Sequence, residues 1–287
     1  MRVLITGATG FVGRHLANHL EGHGHHIEVV SRRPNVGVGW EEEDLQRAVD
    51  GCDAVVHLAG AGVLDRRWSD GYKREILESR TDTTGRIARA CARADRRLIS
   101  TSAVGYYGTG DMSSPFDEEA GCGDDFLAEV CRRWEEALVP AEEQAVAVLR
   151  VGVVLGLGGG ALQSMLLPFK LCAGGPIGSG SQPFPWIHID DLVGLYTWLL
   201  LNPKRVGVFN GVAPGGCDQR TFARALGRAL RRPALLPTPP FALRLLLGER
   251  AELLVKGQHV VPVRTLAEGY AFEHGEVEAA CAHLVRR

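Results

Sequence analysis

Gly7, Gly10 and Gly13 stand three residues apart behind the apolar Val3-Leu4-Ile5 segment, in the run Thr6-Gly7-Ala8-Thr9-Gly10-Phe11-Val12-Gly13. Glycine permits a tight turn from strand into helix, and it lets the backbone close on a pyrophosphate seated at the helix N-terminus. The chemistry such a turn can do is to hold a dinucleotide, with Gly7, Gly10, Phe11, Val12 and Gly13 forming the cradle. A glycine-rich turn alone is a weak signal, and its place in the chain strengthens it. A strand precedes it, an amphipathic stretch with Val12, Leu16 and Leu20 on one face follows, and a second apolar strand comes at Ile27 to Val30. The alternative is a tight turn that holds no ligand.

Which dinucleotide is read from the end of that second strand. An acidic residue there accepts hydrogen bonds from the ribose hydroxyls and repels a 2'-phosphate. This chain has Val30-Ser31-Arg32-Arg33 instead. A hydroxyl followed by two guanidiniums suits a phosphate dianion, so NADP is the expected cofactor. The competing reading makes Arg32 and Arg33 an exposed loop pair ahead of Pro34. Glu28 lies earlier, inside the strand, and is less well placed to meet the ribose.

These groups need a frame, and strand and helix signals alternate through the first two hundred residues or so. Strands are expected at 2–6, 27–30, 54–58, 97–102 and 146–150, with helices at 11–22, 43–49, 70–93 and 125–138 between them. Alternation of this kind predicts an α/β fold, a Rossmann-type doubly wound parallel sheet with helices on both faces. The run Glu41-Glu42-Glu43-Asp44 fits the start of a helix, where negative charge complements the dipole. After Arg150 the pattern loosens into Gly-rich loops at 156–160 and 174–180, Pro-rich turns at 233–240 and a Leu-rich helical stretch at 241–256. We therefore expect a dinucleotide-binding domain over 1–154 and a smaller C-terminal, substrate-side lobe over 155–287. Return elements near 187–212, a helix at 190–201 and a strand at 207–210, rejoin the main sheet.

Composition narrows the function classes. At 287 residues, 45% hydrophobic and 23% charged, the chain reads as an ordinary globular protein. A net charge of -2 argues against a nucleic-acid surface, although arginines far outnumber the four lysines. Seven scattered cysteines without a C-x-x-C pair indicate neither a disulfide framework nor a zinc site, and a reducing compartment fits them. The longest apolar run, Leu192 to Leu201, is too short to span a bilayer and reads as a buried helix. Met1 leads straight into the first strand, so no targeting segment is expected ahead of the fold and a cytoplasmic location is the expectation. The expected partner is a small-molecule substrate, with a homo-oligomer possible.

The cradle, together with Val55-Val56-His57-Leu58-Ala59-Gly60 and the Ser100-Thr101-Ser102 strand end, resembles the extended short-chain dehydrogenase/reductase superfamily. Further segments are similar to one atypical, epimerase-named branch of it. They include Arg67-Trp68, Ser102-Ala103-Val104-Gly105-Tyr106-Tyr107-Gly108, Arg150 through Gly156, Trp186-Ile187-His188-Ile189-Asp190-Asp191 and Gly269-Tyr270. The resemblance covers nearly the whole chain. It implies that Ser31, Arg32, Leu58, Ala59, Glu75, Arg80 and Val154 complete the cofactor site. For Glu75 and Arg80, the alternative is an ion pair on an exposed helix face.

The same resemblance exposes a gap. Extended members usually carry Tyr-x-x-x-Lys on the helix after the serine strand, where tyrosine is the acid or base and lysine lowers its pKa. None of Tyr72, Tyr106, Tyr107, Tyr196 and Tyr270 is followed four residues later by lysine, and the matching helix reads Phe126-Leu127-Ala128-Glu129-Val130-Cys131. Arg80 stands where many relatives place an asparagine. Ser102 matches the family's active-site serine and is the first catalytic candidate, against a plain strand-ending hydroxyl. Tyr106 is the second, as a substitute acid in a loop expected to line the cleft, against a packing role. His188, which could titrate near neutral pH and act in catalysis, reads first as a buried structural histidine, and Cys131 reads as an inert thiol that only a lowered pKa would make reactive. Two function classes follow. One is an NADP-dependent oxidoreductase or nucleoside-sugar-type epimerase with reduced acid–base machinery, acting on a small carbonyl or hydroxylated compound, and the other is a non-catalytic NADP(H)-binding or sensing protein.

Overall fold

The computed structural model describes residues 1–33, 35–141 and 145–286, so Pro34 and the terminal Arg287 of the expected lobe lie outside the described residues. The first half of the chain runs β1 (Arg2–Thr6), α1 (Phe11–Gly22), β2 (His26–Val30), α2 (Glu42–Asp50), β3 (Ala54–His57), α3 (Asp70–Ala94), β4 (Arg97–Ala103), α4 (Phe126–Glu136) and β5 (Val146–Val151). Then come β6 (Val153–Leu155), α5 (Gly160–Lys170), β7 (Pro183–Phe184), β8 (Trp186–His188), α6 (Ile189–Leu200) and β9 (Gly207–Gly211). The chain closes with β10 (Cys217–Asp218), α7 (Gln219–Leu230), α8 (Pro240–Leu247), α9 (Glu252–Val255), α10 (Val263–Ala267) and α11 (Val277–Arg286).

Six of these strands form one parallel sheet in the order β2-β1-β3-β4-β5-β9. Both faces are covered, which is why the strands carry apolar runs such as Val3-Leu4-Ile5, with polar residues gathered mainly toward their carboxyl ends. Val3, Ile5, Val56, Ile99 and Leu149 bury against α1 and α6, while their strand neighbours Leu4, Val55, Leu98 and Val148 bury against α2 and α3. The chain leaves β1 toward β2 on one side and returns to β3 on the other. Such a switch point opens a crevice at the carboxyl ends of the strands, and the Gly7–Gly13 turn sits at its mouth. A second apolar cluster, with Leu162, Phe169, Trp186, Phe222 and Leu284 in it, lies beneath α5, α7 and α11.

The structure departs from the sequence expectations in detail. The expected helix over 241–256 is interrupted, because Gly248 takes a left-handed φ of 64° after α8 and only a short α9 follows. Gly160 begins α5 rather than ending a loop. Asp125 is not the first helical residue of α4 but its cap, accepting the N–H groups of Leu127 and Ala128 at 2.9 Å each.

Candidate functional site

Each of the three cradle glycines answers a different constraint. Gly7 has φ 71°, and a Cβ on it would lie 2.9 Å from the Leu58 carbonyl carbon, so the turn and the close seat of β3 both require glycine. A Cβ on Gly13 would stand 2.6 Å from the Ala8 Cα and closer still to the Gly7 oxygen, so helix-against-turn packing requires glycine there. Gly10 is different. It is exposed, its φ of -74° and ψ of 177° suit any residue, and its Cβ would meet only the Gly7 oxygen at 3.1 Å. No side chain caps α1 and no acid stands in its first turn. The amides of Phe11, Val12 and Gly13 therefore lie at an open, electropositive helix end.

Around this turn the expected residues do gather. Phe11, Val12, Leu58 and Val154 all pack as half-buried groups against the same core cluster. The Phe11 ring lies under the 156–160 loop, where a Cβ on Gly156, Gly159 or Gly160 would come within 2.9 Å of it. Glycines in that loop, read from sequence only as loop formers, thus let it close over Phe11.

A buried relay that sequence reasoning passed over holds the crevice walls together. Thr6 Oγ1 accepts the amides of Leu58 at 3.1 Å and Ala59 at 3.2 Å, and it lies 2.7 Å from His57 Nδ1. With both lone pairs of Thr6 engaged, its proton goes to His57 Nδ1, and His57 Nε2–H then donates to Thr84 Oγ1 at 2.9 Å. Burial drives the pKa of His57 down to about 3 from 6.5, so the ring is neutral in the folded state. Below pH 6.5 the unfolded chain takes up a proton that the folded chain refuses. We therefore expect stability to fall by about 1.4 kcal/mol per pH unit as pH drops from 6.5 toward 3, measured by urea unfolding across that window. A His57→Gln chain that kept the full acid slope would contradict this.

Ser31 follows β2 with its hydroxyl accepting the Arg33 amide at 3.0 Å, and Arg32 and Arg33 are both exposed beyond it. Arg80 and Glu75 both lie on α3, but five residues turn a helix by about 500°, which leaves them on different faces. Arg80 turns inward: a Cβ on Gly60 would sit 3.3 Å from its guanidinium carbon, and that guanidinium stacks over the Trp134 ring at 4.9 Å. Burial draws its pKa down. Glu75 lies on the exposed side of α3 and pairs with Arg66 at 3.2 Å, so the alternative reading, an ion pair between Glu75 and Arg80, is not formed.

The candidate hydroxyls enter a buried network. Ser102 is 1% exposed, and its Oγ donates to Glu135 Oε1 at 2.6 Å. Glu135 also receives Arg150 through Nε at 2.9 Å and Nη2 at 2.8 Å. Arg150 Nη1 in turn donates to the Tyr107 hydroxyl at 3.0 Å, which donates to Asn210 Oδ1 at 2.7 Å. Burial opposes the Arg150 charge, yet its hydrogen bonds and attraction to Glu135 hold its pKa above the ordinary value. Tyr107 is therefore buried and not a cleft-lining residue. Tyr106 is half-buried, with the Arg150 guanidinium 3.4 Å from its ring centre, and its hydroxyl has no hydrogen-bond partner among the described residues. Burial pushes the Cys131 thiol up to about 12, as an inert buried thiol requires. Glu135, which sequence reasoning missed, follows Cys131 by four residues and so shares its helix face.

Comparison with known proteins agrees with this geometry. The sequence pattern of the NAD dependent epimerase/dehydratase family matches residues 3–130, and a domain of unknown function, DUF1731, matches residues 238–284. The chain is 44% identical to the Mus musculus epimerase family protein SDR39U1 over 99% of this chain and 100% of that protein. It is 42% identical to the Arabidopsis thaliana homologue, named as chloroplastic, over 100% and 87% of the two. Among solved structures, the human epimerase family protein SDR39U1 (isoform 2) with NADPH superimposes with a TM-score of 0.94 at 41% identity, covering 100% of both chains. A nucleoside-diphosphate sugar epimerase from Corynebacterium glutamicum superimposes with a TM-score of 0.80 at 32% identity, covering 99% of this chain and 58% of that one. No helix among the described residues is long and apolar enough to cross a membrane. Full-length identity of this order, on a sheet of this topology with its glycine turn at the switch point, shows that the chain belongs to the epimerase family that includes the SDR39U1 proteins.

Proposed function

We propose that the chain binds NADP(H) across the carboxyl ends of β1, β2 and β3, and that it holds the cofactor without the usual tyrosine–lysine proton transfer. The observation that carries the first part is Gly10 at the open end of α1, where an ordinary φ and a single tight neighbour, the Gly7 oxygen at 3.1 Å, leave most of the need for glycine unexplained by the protein itself. A pyrophosphate approaching those amides supplies the missing reason, and the human SDR39U1 structure contains NADPH. Leu58, Ala59, Val154 and Arg80 border the same crevice, and Ser31 and Arg32 would meet the 2'-phosphate. Glu75, held by Arg66, would act from the rim.

The second part rests on the hydrogen bonding of the candidate hydroxyls. Ser102 and Tyr107 are spoken for by Glu135, Arg150 and Asn210, and α4 offers no lysine. Tyr106, with its unengaged hydroxyl, favours a second reading in which a small carbonyl or sugar-nucleotide substrate is turned over with Tyr106 as the acid. The expected outcome is that NADPH raises the melting temperature while its nicotinamide stays reduced across a panel of carbonyl and sugar-nucleotide compounds. A steady oxidation rate abolished by Tyr106→Phe would overturn the holding reading and establish the second. Replacing Arg32 by alanine is expected to weaken NADPH about ten- to hundredfold, the worth of one charge-assisted phosphate contact, and to leave NADH unchanged. Paired titrations of the two cofactors read that difference directly.

A further inference from the structure

Three imidazoles and a carboxylate meet at the start of α6. His188 ends β8 and is fully buried, with its Nδ1 accepting the Asp190 amide at 3.1 Å. Its Nε2 lies 3.2 Å from Nδ1 of His283 on α11. The His274 ring stacks 3.8 Å from that of His188 and 4.6 Å from that of His283, centre to centre. The His274 backbone is fixed in turn, because the Asp191 carboxylate accepts the amides of Glu273 at 2.8 Å and His274 at 3.0 Å. One donor atom from each of His188, Asp190, His274 and His283 lies within 4.8 Å of the others.

We propose that His188, His274 and His283, with Asp190 beside them, form a binding site for a borderline divalent transition metal, zinc above all. Nitrogen donors of this kind suit zinc and its neighbours, whereas calcium and magnesium take oxygen. A tetrahedral zinc with Zn–N distances of about 2.0–2.1 Å sets its ligand atoms about 3.3 Å apart. The His188 and His283 nitrogens already stand at 3.2 Å. His274 and His283 are only half-buried, so their rings can swing inward.

The protons balance through a tautomer change. Without metal, His188 Nδ1 accepts an amide, so its proton sits on Nε2 and is donated to His283. When Nε2 binds the metal, that proton moves to Nδ1, the Asp190 amide gives up its bond to that nitrogen, and the Asp190 carboxylate oxygen, 3.8 Å away, closes in to accept the new Nδ1–H. The resulting carboxylate–imidazole–metal arrangement fixes ring orientation. His283 Nδ1, relieved of its hydrogen bond, gains a free lone pair for the metal, and water completes the tetrahedron. Ligands from β8, the 273–274 segment and α11 make the ion a staple that ties the C-terminal helix to the start of α6.

The test is a zinc titration of the tag-free full chain by calorimetry, with cobalt(II) as the visible-absorption probe. One equivalent of zinc is expected to bind and raise the melting temperature, and cobalt(II) is expected to give tetrahedral d–d bands. His274→Ala and His283→Ala, checked for folding by circular dichroism, should each weaken zinc at least about tenfold and abolish the bands. Asp190→Asn should weaken it about ten- to hundredfold. The competing site is the His19–His23 pair on α1, whose rings lie 4.3 Å apart at helical spacing. His23→Ala breaks that pair and should leave binding unchanged. Zinc binding lost in His23→Ala but kept in His274→Ala and His283→Ala would overturn the proposal, as would the absence of saturable binding in the unaltered chain.

Discussion

Glu135→Ala is expected to destabilise the protein by about 3–5 kcal/mol, because it leaves the Arg150 guanidinium buried without its carboxylate. The side chains of Arg150 and Glu135 are 4% and 15% exposed, so water cannot replace the lost partner. The same substitution releases Ser102 Oγ and loosens the Tyr107–Asn210 link that Arg150 supports. Removing both charges together, in a Glu135→Leu/Arg150→Met chain, is expected to recover most of that loss, since no buried charge is then stranded. Urea unfolding of Glu135→Ala, of the single variants Glu135→Leu and Arg150→Met and of their double variant measures this coupling. A loss below about 1 kcal/mol for Glu135→Ala would mean that the pair behaves as an exposed one. Ser102 would then be free for catalysis rather than held in the frame.

The second large effect separates binding from folding at adjacent glycines. Gly10→Ala is expected to lower NADPH affinity at least about hundredfold, roughly 2.7 kcal/mol, because a methyl group there keeps the pyrophosphate from the amides of α1. Stability should change by no more than about 1 kcal/mol, the scale of a helix-cap change. Gly13→Ala is expected to do the reverse. Its Cβ would stand 2.6 Å from the Ala8 Cα, inside van der Waals contact with backbone that cannot move aside, so unfolding should come about 3 kcal/mol sooner. Denaturation and NADPH titration of both chains check the pair. A Gly10→Ala protein that bound NADPH normally would remove the main support for the cradle.

Features that repeat along the chain were legible in the sequence. The apolar runs of β1, β3, β4 and β5, the helical stripe of Leu16 and Leu20, and the acidic start of α2 gave the parallel sheet and its two helical layers. The return of α6 and β9 to the sheet was readable from the apolar run after Asp191 and the strand at 207–210. What escaped was pairing across sequence distance. Nothing local in Glu135 says that it will meet Ser102 and Arg150. Likewise, nothing in Thr6 says that its hydroxyl will accept two amides more than fifty residues away. Arg80 and Glu75 show the same limit at short range, where helical pitch sends one inward and the other to solvent. From sequence, His188 reads first as a buried structural histidine. Its cap on α6 agrees with that reading, while His274 joins it because the Asp191 carboxylate holds the 273–274 backbone, and His283 because α11 brings it to His188.

The cradle and the Ser31-Arg32 segment together set which cofactor is held. Calorimetric titration of the unaltered chain with NADPH and, separately, with NADH measures it. The predicted result is one cofactor per chain, with NADPH bound at least about tenfold more tightly than NADH through the Ser31 and Arg32 end of β2. Equal affinities, or no binding of either, would contradict it.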